Sequence, residues 1–346
     1  MNYQRVSIAS FGYELPPNVV SSDDIERRLA PMYAALKMQS GLLEAITGIR
    51  ERRYWNPGFQ MHQGAARAGR KAIDAASISR DRIGMLIYGA VCRENLEPAS
   101  ACAVADALAL PPECQIYDVS NACLGVLNGM VSVANAIELG QIQAGLVVAC
   151  ESAREIVDLT IERLNRERNM EVLRKTVATL TGGSGAVAVL LADTDLALNG
   201  HRLLGGVARS APQHHRLCVW GPDTGIPGGS AHMAETDSAQ VLQNGVALGL
   251  DTFREFRRAL AIAAGQPDKI ICHQVGATHQ RAILDAIGLP AARDFTTFRH
   301  LGNIGTVSLP ITAAIASERG FLEAGDMVGF PGIGSGLTCL MLGIDW

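Results

Sequence analysis

Residues 121–148, NACLGVLNGMVSVANAIELGQIQAGLVV, align without a gap on residues 301–328, LGNIGTVSLPITAAIASERGFLEAGDMV. At this constant offset of 180, Gly125, Gly140, Ala144 and Gly145 fall on Gly305, Gly320, Ala324 and Gly325, Glu138 falls on Glu318, and Cys123 falls on Asn303. Three further pairs of segments keep the same order: RVSIASFGYELP with RLLGGVARSAP, DRIGMLIYGA with PDKIICHQVG, and TGGSGAVAVLLA with GIGSGLTCLMLG. A chain duplicated in this way is expected to pack its halves about a pseudo-twofold axis, where corresponding loops meet. The turn carrying Cys123 is therefore predicted to lie beside the turn carrying Asn303. The division falls near residue 195, in ADTDLALNGHR, giving halves 1–195 and 196–346.

Within each half, runs rich in Val, Ile and Leu (GMLIYGAV, QIYDVS, AGLVVACES, GAVAVLLA) alternate with longer helical patterns. Continuous apolar strands separated by helices indicate sheets covered on both faces, so the class is α/β. The composition, 48% hydrophobic and 18% charged with 36 glycines in 346 residues, fits a globular enzyme of that class. A net charge of −4 with both signs interspersed gives no case for a nucleic-acid partner or a membrane-surface patch. The opening MNYQRVSIASFGYELPP reads as a first strand rather than a signal peptide, and no apolar run approaches the roughly 18 residues that span a bilayer. No membrane insertion and a cytoplasmic location are expected. Eight scattered cysteines, with no C-x-x-C pair and no His cluster at zinc-ligand spacing, predict reduced thiols and no metal. Residues 154–180 have helical apolar spacing in a polar segment: either an excursion over an active-site entrance or the solvated face of an ordinary helix.

The chemistry centres on YDVSNACLGVLNGM, residues 117–130, where an apolar strand enters a small-residue turn with a cysteine and a helix follows. A thiol at a helix N-terminus sits where the dipole favours thiolate, so Cys123 is a candidate nucleophile with a lowered pKa. A nucleophile needs a proton acceptor and a place for negative charge. His273 directly follows the apolar run KIIC, at the carboxyl end of a strand, where ligand sites of α/β sheets lie. It is either a functional imidazole or a satisfied polar residue at a strand end. His279, six residues on, is expected on an exposed helix face. Asn303 in RHLGNIGTVSLP offers an amide to an oxyanion or enolate, or else a turn-forming cap. GFPGIGSGLT is a glycine-rich turn whose N–H groups suit half of an oxyanion hole, and it has no Lys-Ser/Thr to make it a phosphate loop.

Cys123, His273 and Asn303 in this order, with ACLG, HQVG, GNIG and GIGSG around them, resemble the thiolase superfamily, in particular condensing enzymes similar to ketoacyl-ACP synthase III. The resemblance spans nearly the whole chain, including TGIRERR at 47–53. It implies a five-layered αβαβα thiolase fold, a homodimer, and Claisen condensation of acyl thioesters through an acyl-cysteine, with no cofactor beyond coenzyme A thioesters as substrates. The chain departs from ketoacyl-ACP synthase III at LLEAITGI, which lacks the tryptophan that stacks on coenzyme A there, and at HQVG in place of HQAN. The segment CRENLEPAS at 92–100 instead resembles OleA-type thiolases, which join two fatty acyl-CoAs head to head.

In that family a glutamate at the position of Glu97 reaches into the partner subunit's active site. The resemblance implies that Cys123 attacks the first thioester and that the N–H groups of Cys123 and Ser335 hold the oxyanion. It implies further that His273 assists thiolate formation and with Asn303 stabilises the second donor's enolate, while Glu97 removes the α-proton. Malonyl donors make their carbanion by losing CO2 and need no such base. The alternatives are a decarboxylating synthase using acyl-CoA and malonyl-acyl carrier protein, and a non-catalytic partner with the same fold.

Overall fold

The apolar runs Ala144–Glu151 and Gly185–Asp193 are buried along their whole length, as strands covered on both faces must be. They lie at the centre of the first half of a nine-stranded sheet in the computed structural model, which describes residues 1–95, 97–222 and 232–346. Leu96, in the CRENLEPAS segment, lies outside the described residues. In chain order the strands of this sheet are β1 (Val6–Glu14), β2 (Ile83–Tyr88), β3 (Gln115–Asp118), β4 (Ala144–Glu151), β5 (Gly185–Asp193), β6 (His201–Ser210), β7 (Lys269–Ile270), β8 (Met327–Gly334) and β9 (Thr338–Asp345).

The sheet order displays the repeat. The first half runs β3-β2-β4-β5-β1 and the second runs β7-β8-β9-β6, so β2, β4, β5 and β1 correspond to β7, β8, β9 and β6. Strand directions agree as well: β2 with β4 and β7 with β8 are parallel, and the remaining equivalent neighbours are antiparallel. The counterpart of β3 is reduced to a single parallel bridge between Ile270 and Asp294. The two half-sheets join along a short seam where Ser7 and Ile8 of β1 pair with Arg202 and His201 of β6, extended by a bridge between Asn2 and Gly205. β5 ends at Asp193 and β6 begins at His201, and we propose the boundary between halves in this connection, at 195.

One strand departs from the expectation of full burial. Gln115, Ile116 and Tyr117 of β3 are exposed, because β3 is the sheet edge and, among the described residues, only β2 pairs with it.

Five layers result. The helices Gly125–Glu138 and Ser308–Glu318 lie between the two half-sheets; Met61–Ala76 and Ser100–Leu108 cover the outside of the first, and Ser238–Ala259 and Ala277–Ile287 cover the second. The Ser308–Glu318 helix is apolar all round and buried from Ser308 to Ala316, as a central helix must be. Both central helices end at equivalent glycines, Gly140 at φ 70° and Gly320 at φ 67°. Residues 154–180 fold as two helices, Arg154–Glu167 and Met170–Thr176. Val157, Ile161 and Leu164 pack against Ile25, Leu29 and Met32 of the N-terminal region, so this segment has a core of its own.

The start of the Gly125–Glu138 helix approaches the end of β2 so closely that a Cβ on Gly125 would lie 2.4 Å from the Gly89 carbonyl oxygen. That contact is backbone and cannot turn aside. Gly125→Ala is expected to destabilise the protein by about 1–3 kcal/mol, the usual range for forced overpacking, measured as a lower urea midpoint at unchanged slope.

Candidate active site

Cys123 is placed by a strained turn. Between β3 and the following helix the chain passes through Ala122 at φ 46°, a left-handed conformation that a side-chain-bearing residue adopts only when its surroundings enforce it. Immediately beyond, the Val126 N–H donates to Thr306 Oγ1 at 2.8 Å. These residues are 180 apart and are thus equivalent in the repeat, so the two corresponding turns touch at the pseudo-twofold axis. The turn between β8 and β9 completes this side: a Cβ on Gly334 would lie 3.5 Å from the Cys123 nitrogen, and Ser335 follows it.

Asn303 is held by its backbone on both sides, donating N–H to Thr181 O at 3.0 Å and accepting from Gly183 N at 2.9 Å. Its Oδ1 accepts from Gly305 N at 3.1 Å, which leaves Nδ2 as the side chain's donor. His273 emerges three residues after the end of β7, its N–H donating to Pro331 O of β8 at 3.1 Å. Its Nδ1 lies 2.7 Å from Ser308 Oγ.

Cys123, His273, Asn303 and Ser335 line one cavity of about 710 Å³, within the size range of ligand sites. Its walls are largely apolar, with Ile156 and Ala178 from the 154–180 segment, Val246 and Ile283 from the outer helices, and Ile333 and Met341 from β8 and β9.

Two expectations need correction. Burial pushes the Cys123 thiol up to about 12, with Cys218 and Glu151 adding to the shift, in place of the lowered value predicted from the helix dipole. The helix begins only at Gly125, and enclosure outweighs its end charge. His279, expected on an exposed face, lies in the first turn of the Ala277–Ile287 helix and lines the same cavity. Burial, and then the nearby His279, lower His273 to about 4, so the site at neutral pH holds a thiol beside a neutral imidazole.

Glu97 is not part of this constellation within one chain; it is exposed and absent from the cavity lining. The loop carrying it is tied down on both sides. Glu94 accepts from the His62 N–H at 3.0 Å and lies 2.9 Å from His62 Nδ1, while the Asp118 carboxylate accepts from Ser100 N and Ala101 N, each at 2.9 Å.

Sequence reasoning missed Glu151 and Thr306. Glu151, 5% exposed, lines the cavity and accepts from Val91 N at 3.0 Å and Cys92 N at 3.1 Å. An acid closing the apolar run AGLVVACE was the available signal. For Thr306 it was the offset of 180 from Val126. Among the described residues no three His, Cys, Asp or Glu side chains converge as metal ligands, and no helix is long and apolar enough to cross a membrane.

Models of the 3-oxoacyl-[acyl-carrier-protein] synthase III family match residues 117–210, and of its C-terminal region residues 258–346. The chain is 49% identical to the acyl-CoA:acyl-CoA alkyltransferase of Shewanella oneidensis, with each chain covered completely. Two solved structures of Xanthomonas campestris OleA are similar at 35% identity. One, a glutamate-to-glutamine variant, has a TM-score of 0.94 with 100% of this chain and 98% of that one covered. The other, a cysteine-to-serine variant with bound lauric acid and lauroyl-CoA, has a TM-score of 0.93 with 99% and 100% covered. The substituted glutamate precedes the substituted cysteine there by 26 residues, the spacing of Glu97 and Cys123 here.

The depressed His273 value has a measurable consequence. Between about 4 and the ordinary 6.5 the unfolded chain binds a proton that the folded chain refuses, so stability falls as pH drops through this window. The loss is at most about 1.4 kcal/mol per pH unit, less where cavity water screens the charge. His273→Asn is expected to flatten the fall of the urea midpoint between pH 6.5 and 4; parallel profiles for the two proteins would contradict the assignment.

Proposed function

The chain belongs to the acyl-CoA:acyl-CoA alkyltransferase (OleA) family, and from that premise we propose how its cavity carries out the head-to-head condensation of two fatty acyl-CoAs. The reading rests on one observation: a thiol, an imidazole, a side-chain amide and a glycine-rich turn from distant parts of the chain open on one largely apolar cavity. An apolar wall accepts acyl chains, and the polar groups sit where the thioester carbons would react.

In the first step the Cys123 thiol attacks the thioester of one acyl-CoA. The N–H groups of Cys123 and Ser335 hold the tetrahedral oxyanion, a role supported by the packing of Gly334 against the Cys123 nitrogen. Coenzyme A leaves as the thiol, so the proton lost by cysteine departs with it. His273 assists by stabilising the sulfur as its negative charge develops.

In the second step an α-proton of the second acyl-CoA passes to the carboxylate of Glu97 of the partner subunit. The enolate oxygen is held by His273 and by the Asn303 Nδ2 donor. Carbon attack on the acyl-cysteine forms the new C–C bond and expels the Cys123 thiolate; Glu97 gives up the α-proton and the thiolate takes one up, so carboxylate and thiol are both restored. Hydrolysis of the remaining thioester gives the β-keto acid. A base supplied in trans is supported by Glu97 lying outside its own chain's cavity, and by its spacing to Cys123. The homodimer this requires has a joining edge available in β3, which exposes Ile116 and Tyr117. We place the enzyme in the cytoplasm, with acyl-CoA as donor. Acyl carrier protein enters as an alternative donor through the match to 3-oxoacyl-[acyl-carrier-protein] synthase III.

Incubation with acyl-CoA alone tests the reading. Wild type is expected to form β-keto acid without malonyl thioester. Cys123→Ala should show no acyl-enzyme by mass spectrometry, and Glu97→Gln should acylate normally while condensation falls by about 10²–10⁴-fold, the usual worth of a catalytic base. Strict dependence on malonyl-acyl carrier protein, or full condensation by Glu97→Gln, would sink it.

A further inference from the structure

His273 has two ring nitrogens, and the one that carries the proton decides whether the imidazole accepts a proton from substrate or donates a hydrogen bond to it. Ser308, the first residue of the second central helix, has no solvent exposure. Its Oγ has two neighbours within hydrogen-bond distance: the Gln274 N–H at 3.5 Å, which donates to it, and His273 Nδ1 at 2.7 Å. An amide N–H cannot receive the hydroxyl proton, so the imidazole nitrogen is the acceptor that remains. Were Nδ1 protonated instead, Oγ would face two N–H donors while its own proton stayed without an acceptor at a position buried from solvent.

We propose that Ser308 is a positioning residue that donates to His273 Nδ1 and so fixes the ring as its Nε2–H tautomer, a hydrogen-bond donor to substrate oxygen rather than a base. The inference deepens the function proposed above and rests on it for its catalytic meaning. With Asn303 Nδ2 it gives the cavity two donors for one enolate oxygen, and it leaves the α-proton to a carboxylate.

Ser308 is itself held in place. Its carbonyl accepts from Thr312 Oγ1 at 2.7 Å, and Thr312 Oγ1 lies 2.6 Å from Thr297 Oγ1. Gln274, whose N–H aims at Oγ, is fixed by its Nε2 donating to Cys272 O at 2.7 Å and its Oε1 accepting from Thr297 N at 3.0 Å. This buried frame leaves the hydroxyl little freedom to turn away. The low affinity of His273 for a second proton, noted above, keeps the ring neutral and the tautomer meaningful at working pH.

Nitrogen NMR of protein labelled with 15N-histidine reads the tautomer directly, with His273→Asn identifying the resonances. The wild-type spectrum is expected to show a protonated Nε2 and a bare, hydrogen-bonded Nδ1. Ser308→Ala should lose that single-tautomer signature and lower kcat for condensation at least about tenfold with KM retained, and Ser308→Thr should restore both. A protonated Nδ1 in wild type, or a Ser308→Ala protein that keeps the signature and the rate, overturns the proposal. Because the wild-type spectrum needs no turnover, the expected tautomer in a protein that makes no β-keto acid from acyl-CoA would uphold this assignment and reject the reaction.

Discussion

The hydrogen bond from Val126 N–H to Thr306 Oγ1 joins two residues that occupy the same place in the two halves of the chain. A helix start has amide protons without partners in its own helix, and here one of them is satisfied from the other half. That bond fixes the turn of Cys123 against the turn of Asn303, and the glycine pair Gly89 and Gly125 lets the helix start come close enough to make it. The two half-sheets share a short seam, so their relative placement depends on the central helices and on this junction.

Much of this arrangement was legible in the sequence because duplication converts a one-dimensional offset into a spatial relation. The meeting of the 123 and 303 turns and the glycine ends of both central helices follow from one number, 180. What remained hidden depends on three-dimensional enclosure. The exposure of β3 follows from its edge position, which its apolar composition conceals. His279 reads as a surface helix residue from its spacing, yet the first turn of that helix closes over the cavity. Ser308 gave no signal at all, since its importance lies in which atom its hydroxyl meets.

The electrostatics of the cavity run against the simplest reading of a cysteine before a helix. Enclosure raises the thiol and lowers the imidazole, so both are favoured in their neutral forms. A neutral pair avoids the cost of burying ions next to long acyl chains, and charge need appear only as the thioester reacts. This suits a reaction whose substrates bring apolar chains and whose transition states carry the negative charge on oxygen.

Glu151 gives the architecture a further consequence. One carboxylate receives the amides of Val91 and Cys92, at the root of the segment that carries Glu97, and packs against Gly305, two residues after Asn303, where a Cβ would lie 3.4 Å from its Cδ. The two roots therefore share a single tether, and variation at one cannot be accommodated without regard to the other. Insertions, deletions or substitutions in these segments should be epistatic across family members, changing together in evolution although they lie in opposite halves of the gene.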